Sequence, residues 1–322
     1  LGLGCTFEPE LARRCASAAA KEAAVTGLHV TFSPMADLVR DARWGRVMES
    51  TGEDPWLNGL FAGAQVEGFQ GKDPGEPDKV ASCIKHFAAY GAAEAGRDYN
   101  SAELCEHTLR EFYLPAYRAG IDAGAALVMT SFNTVDGIPA TINTKLMRKI
   151  LREEFGFDGV LISDFSAILE TVAHGCSRDE RDAAGKAVRA GVDIDMMTSV
   201  YSRNLAELAR SGELDERLID ECVMRVLELK NKLGLFENPY KDADEEREKT
   251  VLLCEEHRNL AREAAVKSMV LLKNDGILPV NRNQKIAFVG PYTDSRQIKS
   301  SWSFTGDEKD CVTIREAAME AL

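Results

Sequence analysis

Five short apolar runs, alternating with stretches of helical spacing, limit what this chain can fold into. The runs are Leu28–Ser33, Val80–Phe87, Ala126–Phe132, Gly159–Asp164 and Gly191–Met196. Each has the length and apolar character of a strand buried on both faces. Helical patterns cover Leu11–Thr26, Asp54–Phe69, Leu104–Ala119, Thr144–Glu154 and Asp179–Ala190. Asp54 followed by Pro55 is a helix cap with proline at the first helical position, and Asn143 stands ready to cap the segment after it. Strands alternating with helices imply parallel pairing through right-handed crossovers. A doubly wound sheet and a closed barrel both satisfy that rule, and the ends of the runs separate them. Asp37 and Arg46, Lys85 and His86, Asn133, Asp164 and Asp195 stand where the apolar runs stop. In a barrel those ends converge on one site. No glycine-rich dinucleotide fingerprint follows any run. The expected fold class is therefore α/β, a TIM-like (β/α) barrel.

Beyond the runs, a helix is expected over Asp215–Leu233, ended by Gly234, followed by Asn238-Pro239-Tyr240 and the charged stretch Lys241–Lys249. A new unit follows, with a helix over Glu256–Lys267 and strands over Met269–Lys273 and Lys285–Val289 around a turn at Asn274-Asp275-Gly276. The expected organisation is a barrel over 1–236, a linker over 237–258 and the start of a second α/β domain over 259–322.

Composition excludes several classes of function. Acidic residues outnumber basic ones, 52 to 39, for a net charge of −13. A nucleic-acid surface needs the opposite sign, so no nucleic acid is expected as a partner. No run approaches the ~20 apolar residues that span a bilayer, so no membrane is expected either. The eight cysteines are scattered without metal-ligand spacing and read as reduced core thiols, which favours a reducing compartment such as the cytoplasm. There is no His-Glu-x-x-His and no phosphate-cradling loop, and neither a metal nor an organic cofactor is expected. Homo-oligomerisation stays open.

Asp164 follows a buried strand directly, where an ordinary cap or loop aspartate is also common. Lys85, His86 and Arg46 change the balance. Cationic and hydrogen-bonding side chains around one carboxylate favour its ionised form, the form a nucleophilic carboxylate needs. They also supply donors for sugar hydroxyls.

At this point the sequence resembles glycoside hydrolase family 3, in its β-glucosidase branch. The resemblance rests on Phe32–Pro55 with its Arg40-Asp41-Ala42-Arg43-Trp44-Gly45-Arg46 segment, on Lys85–Asn100, on Gly159–Phe165, on Leu233–Tyr240 and on Ala264–Pro279. It implies that Asp164 is the nucleophile of a retaining mechanism and that Arg46, Lys85 and His86 grip the glycone hydroxyls. It implies that Phe132, Phe165 and Met196 line the pocket. Trp44 reads as packing, and Asp98 and Asp195 read either as acids supporting the site from behind or as caps. Many relatives carry Trp where Phe165 stands, so weaker stacking of the aglycone is expected. The family's first barrel strand, with an Asp that binds glycone hydroxyls, is expected to precede Leu1.

A retaining glycosidase needs a second carboxyl group about 5–5.5 Å from the first. Glu49 and Glu53 are candidates by position, but Met48–Pro55 reads as the start of a helix, where acids favour the dipole. The resemblance implies instead that the second domain is an α/β sandwich domain supplying a Glu beyond Leu322; Glu308 and Glu316 come too early for it. The expectation is that this chain alone lacks its general acid. The family's single-domain β-N-acetylglucosaminidases carry a His in the loop after the Lys-His-Phe segment, and no His stands between His86 and His107. The expected reaction is release of a terminal non-reducing β-D-glucose from a small glucoside or oligosaccharide. The alternatives are a β-xylosidase or dual-specificity enzyme, a phosphorylase, and a non-catalytic carbohydrate-binding relative.

Overall fold

Small side chains set the first packing step. Helix α1 (Pro9–Val25) buries Leu11, Ala12, Ala16, Ala20 and Ala24, which lie on one helical face. It packs on helix α2 (Pro55–Gln70), and Gly68 permits the approach: a Cβ there would sit 2.4 Å from the Arg13 carbonyl oxygen. Asp54 caps α2 by accepting the Leu57 N–H at 2.7 Å, and Pro55 takes the position where a missing N–H costs nothing. This computed structural model describes residues 1–281, 283–299, 302–303 and 306–321.

The strands form in the expected places. Strands β1 (Val30–Thr31), β2 (Ala81–Phe87), β3 (Leu127–Thr130) and β4 (Val160–Ile162) pair in parallel, in the order of the chain. Ile194 adds a further parallel bridge to Ile162. A doubly wound sheet would reverse its order at a switch point. This sheet keeps turning one way, as a (β/α) barrel does. Alternate residues face opposite sides. Cys83, Leu127, Met129, Val160 and Ile162 form one buried cluster with Leu233. Ile84, Val128 and Leu161 point the other way, into a core built with the helices.

The helix expected over Leu104–Ala119 is interrupted. A short turn at Glu106–Thr108 widens over Leu109–Tyr113, where the Leu114 N–H reaches back to the Leu109 carbonyl at 3.0 Å. Pro115 has no N–H to continue the ladder and starts a new helix, α3 (Pro115–Asp122). The pattern over Thr144–Glu154 also becomes a wide helical segment, Lys145–Glu154, and the Asn143 side chain accepts the Leu146 N–H at 3.1 Å. Helices α4 (Ala167–Ala173), α5 (Glu180–Ala190), α6 (Val200–Arg210) and α7 (Glu216–Lys232) follow, with Asp179 capping α5 and Asp215 capping α7. Gly234, at φ +71°, closes the C-terminal end of α7.

The structure divides into two compact units, Leu1–Met269 and Val270–Leu322, whereas the sequence pattern set a linker over 237–258. Helix α8 (Glu255–Lys267) belongs to the first unit because it is tied to α1 and the segment before it. Arg14 pairs with Glu263 at 2.9 Å, Lys267 with Glu8 at 2.7 Å, and His257 Nδ1 lies 2.6 Å from Glu22. The stretches Met269–Lys273, which straddles that division, and Lys285–Val289, in the second unit, form no ladder among the described residues. Leu272 and Val289 are 91% and 92% exposed. Apolar, β-branched composition makes a strand only where a partner and a covering face are present. Helix α9 (Ile314–Ala321) starts with a capping box: Thr313 Oγ1 accepts the Glu316 N–H at 3.1 Å and Glu316 accepts the Thr313 N–H at 2.9 Å.

Candidate active site

The C-terminal ends of the strands gather the titratable groups. Strand β2 delivers Lys85 and His86, and Met35 bridges to Lys85 from the extended segment after β1. The peptide bonds Lys85–His86 and Phe87–Ala88 are cis. Two residues past Met35 stands Asp37, buried. Its Oδ2 lies 2.7 Å from His86 Nδ1 and accepts the His86 backbone N–H at 3.1 Å. Its Oδ1 lies 2.6 Å from the Tyr117 hydroxyl, which is also 2.6 Å from the His86 carbonyl oxygen. Burial first, and Asp37 second, push the Tyr117 hydroxyl well above its ordinary range, so it keeps its proton.

Asp164 ends β4. Its Oδ1 accepts the Phe165 N–H at 2.7 Å, and its Oδ2 lies 3.3 Å from His86 Nε2. That last contact is at ion-pair distance without hydrogen-bond alignment, and Oδ2 is a buried oxygen lacking a hydrogen-bond partner among the described residues. Such a carboxylate is oriented but not saturated.

Arg46 binds Glu49 with both ends of its fork, Nε to Oε1 at 2.7 Å and Nη2 to Oε2 at 2.9 Å, and its guanidinium carbon stands 5.6 Å from the Tyr90 ring centre. Burial opposes the charge on Arg46, but the Glu49 hydrogen bonds and charge outweigh it and raise the guanidinium further. Burial also opposes the charge on Glu49, and Arg46, Lys85 and His86 together hold its carboxyl below the usual range. Lys85 is mostly buried. Desolvation, then the nearby Arg46 charge, pull its ammonium down, while Glu49 and Asp164 pull it back up. Arg46, Lys85, His86 and Asp164 thus share one electrostatic neighbourhood.

The expected pocket aromatics divide. Phe132 is 6% exposed and packs on Tyr99, ring centres 4.6 Å apart, and on Tyr90 at 5.6 Å. Phe165 is 56% exposed, and it is its backbone N–H that orients Asp164. Met196 donates its N–H to Ser163 Oγ at 2.9 Å and packs its side chain on the inner strand cluster. Trp44 is fully buried and donates to Asp98 Oδ1 at 2.9 Å, which makes Asp98 the anchor of the Trp44 segment. Asp195 accepts from Thr198 Oγ1 and from the Tyr201 N–H, a capping role at the start of α6.

Two residues close to these groups, Tyr117 to Asp37 and His86 and Glu170 to Asp164, carried no assignment in the sequence. Tyr117 lies on a helix whose spacing marks it only as core. Glu170, on α4, is half-buried, and burial followed by the charges of Asp164 and Asp98 pushes its carboxyl up. Glu53 is exposed, and Glu308 and Glu316 belong to the second unit. Among the described residues no group of three or more His, Cys, Asp or Glu is placed to hold a metal, and no helix is long and apolar enough to cross a membrane.

This geometry meets its counterparts among known proteins. Residues 1–229 match the family described as glycosyl hydrolase family 3 N terminal domain. A β-glucosidase from Listeria innocua, crystallised with glucose, superposes with a TM-score of 0.96 at 50% identity, covering 99% of this chain and 44% of that one. The periplasmic β-glucosidase of Salmonella typhimurium is 39% identical over all of this chain and 43% of its own length. A β-xylosidase of Formosa agariphila is 36% identical over 94% of this chain and 44% of its own length. The chain therefore spans less than half the length of these relatives. By fold, by sequence and by the arrangement at its strand ends, the chain belongs to glycosyl hydrolase family 3, whose N-terminal domain is the TIM-like barrel described above.

Proposed function

We propose that this chain carries the nucleophile and the glycone site of a retaining β-glycosidase that releases terminal β-D-glucose. The observation that supports it most is the setting of Asp164: a strand-end carboxylate oriented by the Phe165 N–H, faced by His86, with the charges of Lys85 and Arg46 in reach. In that reading Asp164 attacks the anomeric carbon, the glycosidic bond breaks, and water then hydrolyses the glycosyl ester. Arg46, Lys85 and His86 hold hydroxyls of the sugar, and Phe132 and Phe165 wall the pocket. β-Glucosidases with glucose and laminaribiose among the related structures favour glucose. The named β-xylosidases keep a xyloside or dual-specificity reading as the alternative.

For the proton donor, Glu49 is poorly suited because Arg46 keeps it ionised. Glu170, in contrast to Glu49, has surroundings that favour the protonated form. A donor role for Glu170 predicts that Glu170→Gln loses more activity as the leaving group becomes more basic. A uniform loss across leaving groups assigns the proton to the sandwich-domain acid that the family resemblance implies.

In the full-length protein, Asp164→Asn should keep the fold and lose at least about 10³-fold in turnover. Asp164→Gly with azide should yield an α-glycosyl azide, because azide enters from the face the carboxylate has left. A β-azide, or near-normal activity in the Asn variant, would contradict the assignment.

A further inference from the structure

Asp37 has a buried carboxylate with its donors already in place and no contact with the open face of the site. His86 supplies two of them, its backbone N–H and its Nδ1, and the proton-bearing Tyr117 hydroxyl supplies the third. An ionised carboxylate only accepts, so Nδ1 is the donor in the 2.7 Å contact. That turns the other ring nitrogen, Nε2, toward Asp164 Oδ2 at 3.3 Å. Both side chains of the Asp37–His86 pair are closed to solvent, with exposures of 0% and 1%. At 3.3 Å no water fits between Nε2 and Oδ2, so a proton held between the two atoms is what makes the contact attractive.

We propose that Asp37 is a positioning residue for the nucleophile: through His86 it holds the imidazole Nε2 against Asp164 and thereby speeds release of the sugar from the Asp164 ester. The proposal rests on the reading of Asp164 as nucleophile. In the first step an Asp164 oxygen bonds the anomeric carbon, the glycosidic carbon–oxygen bond breaks, and the aglycone leaves with the electron pair. In the second, a water oxygen bonds the anomeric carbon, the ester bond breaks, its electron pair returns to Asp164, and the water proton passes to solvent. Negative charge reappears on Asp164 in that second step, next to His86. The same attraction holds the free carboxylate in the ground state of the first step, so its loss costs less there. His86 therefore acts on the nucleophile in addition to any grip on the sugar.

The test compares Asp37→Asn with wild type in the full-length protein, using a dinitrophenyl β-glycoside, glucoside or xyloside, that the wild type turns over. Such a leaving group departs without a proton, so the second step limits kcat. The proposal predicts that kcat falls at least about 10-fold while kcat/KM falls much less. KM then drops with kcat, and a pre-steady-state burst of full amplitude appears as the glycosyl-enzyme accumulates. Tyr117→Phe, which keeps the Asp37 charge and removes one of its donors, should show the same split at about a third of the size on a logarithmic scale. A merely structural role gives a different result: burst amplitude falls with the folded fraction, kcat and kcat/KM fall together, and KM stays put. That pattern in either variant, or unchanged kinetics in Asp37→Asn, overturns the proposal. If Asp164→Gly with azide fails to give the α-azide, it is the underlying reading that has failed. If the α-azide forms and the split is absent, only the role of Asp37 is lost.

Discussion

At the scale of single residues, the site is a balance of buried charges, and the balance has testable signs. Glu49 is held below its ordinary range by Arg46, Lys85 and His86. A group whose folded value is depressed contributes stability above its unfolded value, near pH 4.3 for Glu, and loses it as pH falls through the folded value. The stability difference between wild type and Glu49→Gln should therefore be full at pH 6 to 7, at about 1 kcal/mol, and shrink steadily below about pH 4. Chemical denaturation across that range checks it, and a difference that grows on acidification contradicts the Arg46–Glu49 account. Lys85→Ala should lower kcat/KM more than it lowers the melting temperature, because its charge serves the pocket and not the core. A collapsed melting temperature with a fully active surviving fraction would make Lys85 structural.

At the scale of elements, the ties that aim the strands are polar as well as apolar. Asp193, fully buried, accepts the Leu161 N–H at 2.7 Å and binds Arg152 at 2.9 Å and Arg225 at 2.9 Å. It joins β4 to the next parallel segment and to α7. Burial pulls the Arg152 guanidinium down to about 10 in spite of Asp193. Removing Asp193 would leave two cations without their shared partner, so Asp193→Ala should cost about 3–5 kcal/mol in denaturant unfolding. A loss below about 1 kcal/mol would mean that solvent replaces the pair freely. The strands themselves were legible in the sequence because each is an apolar run buried on both faces. The Leu104–Ala119 helix was legible only in part: periodicity reports which face is buried, and the weight of Pro115 in dividing it depends on the surrounding backbone. The stretches Met269–Lys273 and Lys285–Val289 misled for the opposite reason, since their composition states a preference that only a partner strand can satisfy.

At the scale of the whole molecule, chain-order pairing of the strands explains why distant segments meet. Asp37, Lys85, His86 and Asp164 are spread over more than a hundred residues, yet each stands at or just past the same end of its strand. That logic made Asp164, Lys85, His86 and Arg46 readable from the sequence. It could not reveal the Tyr117–Asp37–His86 chain, because Tyr117 comes from a helix whose spacing marks it only as core, and its hydrogen bonds to Asp37 and His86 arise from tertiary packing. Nor did it reveal Glu170, whose protonation depends on burial and on Asp164 across the turn. The division of labour between glucose and xylose is also set by pocket walls, and a panel of nitrophenyl β-glycosides should show the glucoside preferred, with β-xyloside turnover as the next best. Preference for the xyloside would favour the alternative substrate while leaving the mechanism intact. The mechanism itself is tested most directly by trapping. The full-length protein, incubated with 2-deoxy-2-fluoro-β-glucosyl fluoride and digested, should carry the fluorosugar on the peptide containing Asp164, in step with loss of activity. A label on any other carboxylate, or inactivation without a covalent sugar, would contradict the account.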